Sequence, residues 1–137
     1  MLLECDYVEA TALLERKEFD SAQALFSTLA EKGYSDADQQ ALECDYQKAI
    51  QYMESKDFDK ALEIFDTLAS RKGGLYKDSW EMYKECTYQK AMYFAYEIGG
   101  YDGIMEGQYL FWWLKGYSYK DSEIQYEKLE SIVNMMR

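Results

Sequence analysis

The tetrapeptide Glu4-Cys5-Asp6-Tyr7 returns as Glu43-Cys44-Asp45-Tyr46 and again as Glu85-Cys86-Thr87-Tyr88. The copies start 39 and then 42 residues apart. A fixed period of this size marks a repeat array, in which one supersecondary unit buries its apolar face only against the next. Agreement extends outward from the tetrapeptide. An Ala follows each Tyr by three residues, at Ala10, Ala49 and Ala91. An aromatic-Asp pair comes next, at Phe19-Asp20, Phe58-Asp59 and Tyr101-Asp102. Each copy closes on Tyr-x-Asp followed by Ala or Ser: Tyr34 to Ala37, Tyr76 to Ser79 and Tyr119 to Ser122.

Periodicity inside the unit is helical. Leu42, Tyr46, Ala49, Ile50 and Met53 share one helix face, and Phe58, Ala61, Leu62, Phe65 and Leu68 share another. Ser55-Lys56-Asp57 separates the two stretches as a polar turn. Each unit is therefore predicted to be a long helix of about 20 residues and a shorter one of about 12. Asp57 or Asp59 is expected to cap the short helix, and Asp36, Asp78 and Asp121 the long ones that follow them. Pro is absent, so nothing kinks these helices. Gly33, Gly73-Gly74, Gly99-Gly100 and Gly116 fall where breaks are wanted. Gly103 and Gly107, four apart, permit either a close helix crossing or a weak first turn. Little alternates with period two, so strands find no support.

At Ala49, Phe58, Asp59, Ala61 and Phe65 the unit resembles a tetratricopeptide repeat, and Ala10, Phe19, Ala22 and Phe26 match in the first copy. The closing Tyr-x-Asp-Ser and the Cys-x-Tyr that follows are similar to a longer variant of that repeat from bacterial multi-repeat proteins. The likeness implies antiparallel helix pairs stacked in a right-handed array that binds proteins or peptides along its concave side. This period exceeds the usual 34 residues, the usual closing Pro is missing, and Asp45 and Lys48 stand where the family has a large apolar residue. The expected architecture is all-α: a single domain over 1–137, with repeats at 1–34, 35–75 and 76–118 and a C-terminal capping helix at 119–137, seven helices together. Lys128, Leu129 and Ser131 replace the Glu, Cys and Tyr of the tetrapeptide in that last helix. The chain opens mid-unit, either because the first helix is short or because residues upstream were cut away.

The third copy drifts. It is one residue longer from Tyr88 to Tyr101 than the second is from Tyr46 to Phe58, and Ile104, Gln108 and Phe111 stand where Ala, Phe and Leu are aligned. Tyr109-Leu110-Phe111-Trp112-Trp113-Leu114 is apolar all round. This is either a helix buried on several sides or an exposed aromatic patch for a partner or a second copy of the chain, centred on Phe111 to Trp113.

The net charge is −11. That repels nucleic-acid phosphates and anionic membranes alike. It leaves as partners a basic or mixed-charge protein segment, or a nucleic-acid-binding protein that the chain blocks by imitating its ligand's charge; alternatively, the acid serves solubility. No signal peptide or spanning segment is read from the opening Met1-Leu2-Leu3-Glu4, which favours the cytoplasm. Cys5, Cys44 and Cys86 occupy one repeat position; they read as buried thiols of a reducing compartment. With no His in the sequence, the Ser-His and Cys-His dyads are excluded. The Gly99-Gly100-Tyr101-Asp102-Gly103 run lacks the following Lys-Ser/Thr of a phosphate loop. No catalytic centre, metal site or cofactor is expected.

The candidate site is a stripe. Between the two packed sides of the long helix lie Glu43, Gln47 and Glu54, with Glu4, Val8 and Glu15 as counterparts in the first copy and Glu85, Gln89 and Tyr96 in the third. Stacked, they make an acidic ladder edged by Tyr, suited to a peptide carrying Lys or Arg; a solvated helix face is equally rich in Glu and Gln. Tyr7, Tyr46 and Tyr88 share a face with Ala, and with Leu or Met, and belong to the core. If the ladder is a free binding face, changing Glu43 and Glu85 to Lys should leave melting nearly intact. Trp112 and Trp113 complete the candidate contacts. The expected role is a non-catalytic scaffold or adaptor.

Overall fold

The structure, a computed structural model, describes residues 2–71 and 74–137; Met1 and Gly73 of the stretches quoted above lie outside them. All regular structure among the described residues is helical: α1 (Leu2–Glu15), α2 (Phe19–Glu31), α3 (Ala37–Glu54), α4 (Phe58–Ser70), α5 (Ser79–Met92), α6 (Gly100–Lys115) and α7 (Ser122–Met136), with a π-helical segment Tyr93–Ile98 continuing α5. From α1 to α4 each helix packs on the next, and α6 packs on the π segment and on α7, as helical repeats require. The chain divides into two units, Met1–Ser79 and Trp80–Arg137. The division falls in the first turn of α5, not between the repeats.

In the first unit, α1 and α2 pair, α3 packs on α2, and α4 pairs with α3. The sequence reason is visible in α4, where Phe58, Ala61, Phe65 and Leu68 recur at intervals of three and four and are all buried. Phe19, Ala22, Phe26 and Leu29 do the same in α2. Ala22 and Ala61 are completely buried, and a residue without a long side chain lets paired helices approach. Ala10, Leu13, Ala22, Phe26, Leu29, Ala37, Ala41 and Cys44 form a continuous core. Burying each Phe contributes on the order of 2–3 kcal/mol.

The short turns are shared as well. Lys17 and Lys56 adopt positive φ, 63° and 66°. The next residues donate backward over five positions, Glu18 N to Leu13 O at 2.9 Å and Asp57 N to Tyr52 O at 2.8 Å. This is the helix-ending geometry that normally recruits Gly. Asp57, at the cap position of α4, makes no side-chain capping bond.

The third hairpin corrects the sequence register. The extra length is taken up inside the helix, not in the turn: Tyr93–Ile98 is π-helical, and Gly99 N bonds Phe94 O, five residues back, at 2.9 Å. The buried residues of α6 are Gly103, Gly107, Phe111 and Leu114. Gly107, Phe111 and Leu114 repeat the spacing of Ala61, Phe65 and Leu68, and of Ala22, Phe26 and Leu29. Ring geometry agrees: Tyr7 meets Phe26 edge-on at 5.5 Å, Tyr46 meets Phe65 at 5.9 Å, and Tyr88 meets Phe111 at 5.6 Å. Phe111 is therefore the counterpart of Phe65, and Gly107 is the crossing residue, three positions later than the Ile104 to which Tyr101-Asp102 had aligned it.

Gly103 and Gly107 make the close crossing. A Cβ on Gly107 would lie 2.7 Å from Ala95 Cβ and 2.9 Å from Ala91 O, and one on Gly103 would lie 2.5 Å from Phe94 O. Only the absent side chain permits this approach. The second core holds Ala91, Ala95, Phe111, Leu114 and Leu129, the last from α7.

Candidate functional site

The repeated polar residues meet each other before they meet solvent. The Tyr of the tetrapeptide donates its hydroxyl to the Asp of the next Tyr-x-Asp, at 2.5 Å in every copy: Tyr7 to Asp36, Tyr46 to Asp78, and Tyr88 to Asp121. The Asp residues thus accept from a Tyr. Asp36 and Asp121 stand at cap positions without a side-chain capping bond. Each takes a second bond from the Gln four residues on, Gln40 Nε2 at 3.2 Å and Gln125 Nε2 at 3.1 Å. The bonds from Tyr7 and Tyr88, then those from Gln40 and Gln125, hold the two carboxyls below their ordinary range.

Glu43 and Glu85 are the other half of the latch. Glu43 accepts from Tyr76 Oη at 2.6 Å, from Lys77 Nζ at 2.5 Å and from Gln47 Nε2 at 2.8 Å. Glu85 accepts from Tyr119 Oη, from Lys120 Nζ at 2.7 Å and from Gln89 Nε2 at 2.9 Å. Their side chains are only 19% and 22% exposed. Burial pushes both carboxyls up, but the bonds from Lys, Tyr and Gln outweigh it and leave each below its ordinary value. Burial first, and then the bond donated to a carboxylate, raises Tyr76 and Tyr119, and likewise Tyr88, which is pushed up to about 12. The loop is preset for this. Ser35, Lys77 and Lys120 all sit at φ near 50°, and the two lysines lie with their ammonium groups 5.0 Å over Tyr46 and Tyr88. Gln47 and Gln89 of the predicted stripe are therefore spent on their own Glu.

The first copy keeps half of this latch. Ser35 and Val8 replace the Lys and the Gln, and Glu4 is exposed. Glu15 and Glu54 are exposed too. Tyr96 donates to Gln125 Oε1 at 2.5 Å, an attachment of the π segment to α7. Of the stripe, Gln47 and Glu54 do share a shallow cavity of about 160 Å³, with Lys17, Phe19, Ile50 and Gln51. A polar cavity of about 360 Å³ adjoins it along Lys17, Asp20, Lys48 and Tyr52. There Lys48 Nζ pairs with Asp20 at 2.5 Å, so the Asp45–Lys48 departure from the familiar repeat is a polar tie from α3 to α2. Burial raises the Asp45 carboxyl.

Cys44 and Cys86 are fully buried, while Cys5, expected to be buried like them, is exposed. Burial pushes the Cys44 thiol up to about 12, which leaves it unreactive. No group of acidic residues and cysteines among the described residues could hold a metal ion.

The six-residue apolar run divides by residue. Phe111 and Leu114 are fully buried. Trp113 is half-buried among Trp80, Tyr83 and Tyr117, at centroid distances of 6.1, 5.9 and 4.8 Å. Tyr109 and Trp112 point outward, 62% and 52% exposed, and stack at 6.2 Å with an interplanar angle of 30°. Together with Met105, Gln108 and Tyr126 they line a cavity of about 410 Å³. A second cavity, of about 490 Å³, lies on the other side of Trp112, against Trp113, Gly116 and Tyr117. Sequence reasoning nominated Trp112 and Trp113, held Tyr109 only as the first residue of the apolar run, and missed Met105 and Tyr126. Only the corrected register, with Phe111 inward, turns Tyr109 and Trp112 outward.

The fold and these surfaces define a helical-repeat protein. Comparison with protein-family models, curated proteins and solved structures found no match. No helix among the described residues is long and apolar enough to cross a membrane.

Proposed function

We propose that this chain is a non-catalytic protein-interaction module, a scaffold or adaptor, and that Tyr109 and Trp112 form its principal contact. The exposed, stacked pair between two cavities carries the reading. Large aromatic side chains are the residues that dominate protein–protein binding energy, and exposure of two together leaves apolar area that association would bury. The polar residues that repeat along the chain are engaged within the fold, which makes them scaffold. Tyr109 and Trp112, with Met105, Gln108 and Tyr126 beside them, form an aromatic shelf, the part of the surface that breaks the repeat pattern. The tetratricopeptide-like unit is in keeping with this role.

A retention assay tests it. The chain, immobilised, is exposed to an extract of its own cells at low and at moderate salt, beside the Trp112→Gln variant. The same protein partner should be retained specifically by the native chain and lost with the variant, whose helicity is unchanged. Equal retention by both proteins would remove the shelf from the binding surface.

The charge-mimic reading is weaker on the same grounds. Asp36, Asp78, Asp121, Glu43 and Glu85 all face internal donors, so fewer acids are left to imitate a phosphate backbone. Competition by duplex DNA for the retained partner would restore it.

A further inference from the structure

The shelf also indicates the chemistry of its ligand, provided that it is an interaction surface as proposed above. Acids border it on both helices. On α6, Asp102 and Glu106 are exposed two turns and one turn before Tyr109; on α7, Glu123, Glu127 and Glu130 are exposed around Tyr126. Glu130 acts electrostatically on the Tyr126 hydroxyl. Against these, Lys115 is engaged: its ammonium lies 4.8 Å over the Tyr126 ring. Lys128, exposed on α7, is the other lysine on these two helices.

The chain's habit with aromatic faces is a second observation. Its lysines cover them repeatedly: Lys77 over Tyr46 and Tyr76, Lys120 over Tyr88 and Tyr119, Lys84 over Trp80 and Tyr117, Lys60 over Tyr52. No lysine or arginine among the described residues covers Tyr109 or Trp112. An indole face is the strongest aromatic partner for a cation, and a guanidinium also stacks on it.

We propose that the shelf binds an extended peptide segment in which arginine or lysine sits beside an apolar residue. The cation lies over the open face of Trp112, within reach of the acids on α6 and α7. The apolar neighbour enters the cavity formed with Met105 and Tyr126, where a flexible thioether adapts to its shape. The Gln108 amide, both donor and acceptor, is placed to meet the peptide backbone.

Fluorescence anisotropy with three labelled octapeptides tests this: one alternating Arg with Leu, one Glu with Leu, one Arg with Ser. The Arg–Leu probe should bind at least about tenfold more tightly than either of the others. Its affinity should fall about tenfold in Trp112→Gln, and in the double variant Glu106→Lys with Glu130→Lys by a factor that shrinks as salt rises. Tyr109→Ser provides a second lesion should Trp112→Gln melt early. Equal binding of the Glu–Leu probe, or Arg–Leu binding indifferent to both shelf variants, overturns the proposal. So does a wild-type dimer in sedimentation that Trp112→Gln dissociates while no probe binds, since the occupant is then a second copy. If the extract partner is lost with Trp112→Gln but the Arg–Leu probe fails, only this ligand assignment falls. If neither responds to the variant, the interaction surface falls with it.

Discussion

Single side chains decide several local outcomes, and two substitutions of opposite sign test them. Lys17 holds a left-handed conformation at φ 63°, a region that costs a residue with a Cβ about 1 kcal/mol. Lys17→Gly should therefore raise stability by about 0.5–1 kcal/mol, seen as a higher urea midpoint at unchanged slope. Lys77 at φ 49° has the same backbone but anchors Glu43, so Lys77→Gly should give no such gain. Gly107→Ala should cost about 1–3 kcal/mol, because its methyl would press on Ala95 Cβ and Ala91 O. The sequence left Gly103 and Gly107 open between a close crossing and a weak first turn, and set Ile104, not Gly107, in the place of Ala61. The place of Gly107 rests on the π segment, and the sequence carries no mark by which an extra residue chooses between turn and helix. The spacing Gly107, Phe111, Leu114 was available as a signal; it was hidden because Tyr101-Asp102 looks like Phe58-Asp59. The capping role given to Asp36 and Asp121 also failed at this scale, since a Tyr some thirty residues away outcompetes the local backbone N–H.

Between elements, the latch is the recurring device. Tyr46→Phe and Tyr88→Phe should each destabilise the chain by about 1 kcal/mol, the modest size that suits hydrogen bonds near solvent. Glu43→Lys with Glu85→Lys should do more. Each change removes an acceptor shared by three donors and sets a second ammonium beside Lys77 or Lys120. A clear fall in melting temperature is expected, where a free acidic ladder would tolerate the change. Helix number, helix pairing and the inward Phe and Ala positions were legible in the sequence, because 3.6-residue periodicity follows directly from burying one face. The latch was half legible. Its members were visible as repeated letters, but a repeated Glu reads alike whether it faces solvent or a Tyr hydroxyl. Only the third dimension separates the two.

For the whole molecule, the latches predict how stability depends on pH. Glu43, Glu85, Asp36 and Asp121 hold their protons less tightly when folded than unfolded. Their contribution is complete above about pH 4.5 and is lost as pH falls through the lowered folded values. Tyr46, Tyr76, Tyr88 and Tyr119 hold theirs more tightly when folded, Tyr88 up to about 12. Their contribution is complete below about pH 10 and fades as pH rises toward 12. Urea midpoints should thus form a plateau from about pH 5 to 9 with a decline on each side, and Tyr88→Phe should soften the alkaline decline. The net charge of −11 is unevenly spread: residues 1–79 hold 17 acids and nine bases, residues 80–137 nine acids and six bases. A steep, general electrostatic attraction is thus expected of the first stretch, and selective contact of the second.

Because Glu43 and Tyr46 on α3 close upon Tyr76, Lys77 and Asp78, a hairpin cut out at its own helix ends would leave its fastenings behind. The transplantable cassette runs from 37 to 78, one helix pair together with the loop that buckles it. Anyone lengthening, shortening or grafting this chain should place the seam just past such an Asp, where one buckle is shut and the next has not begun.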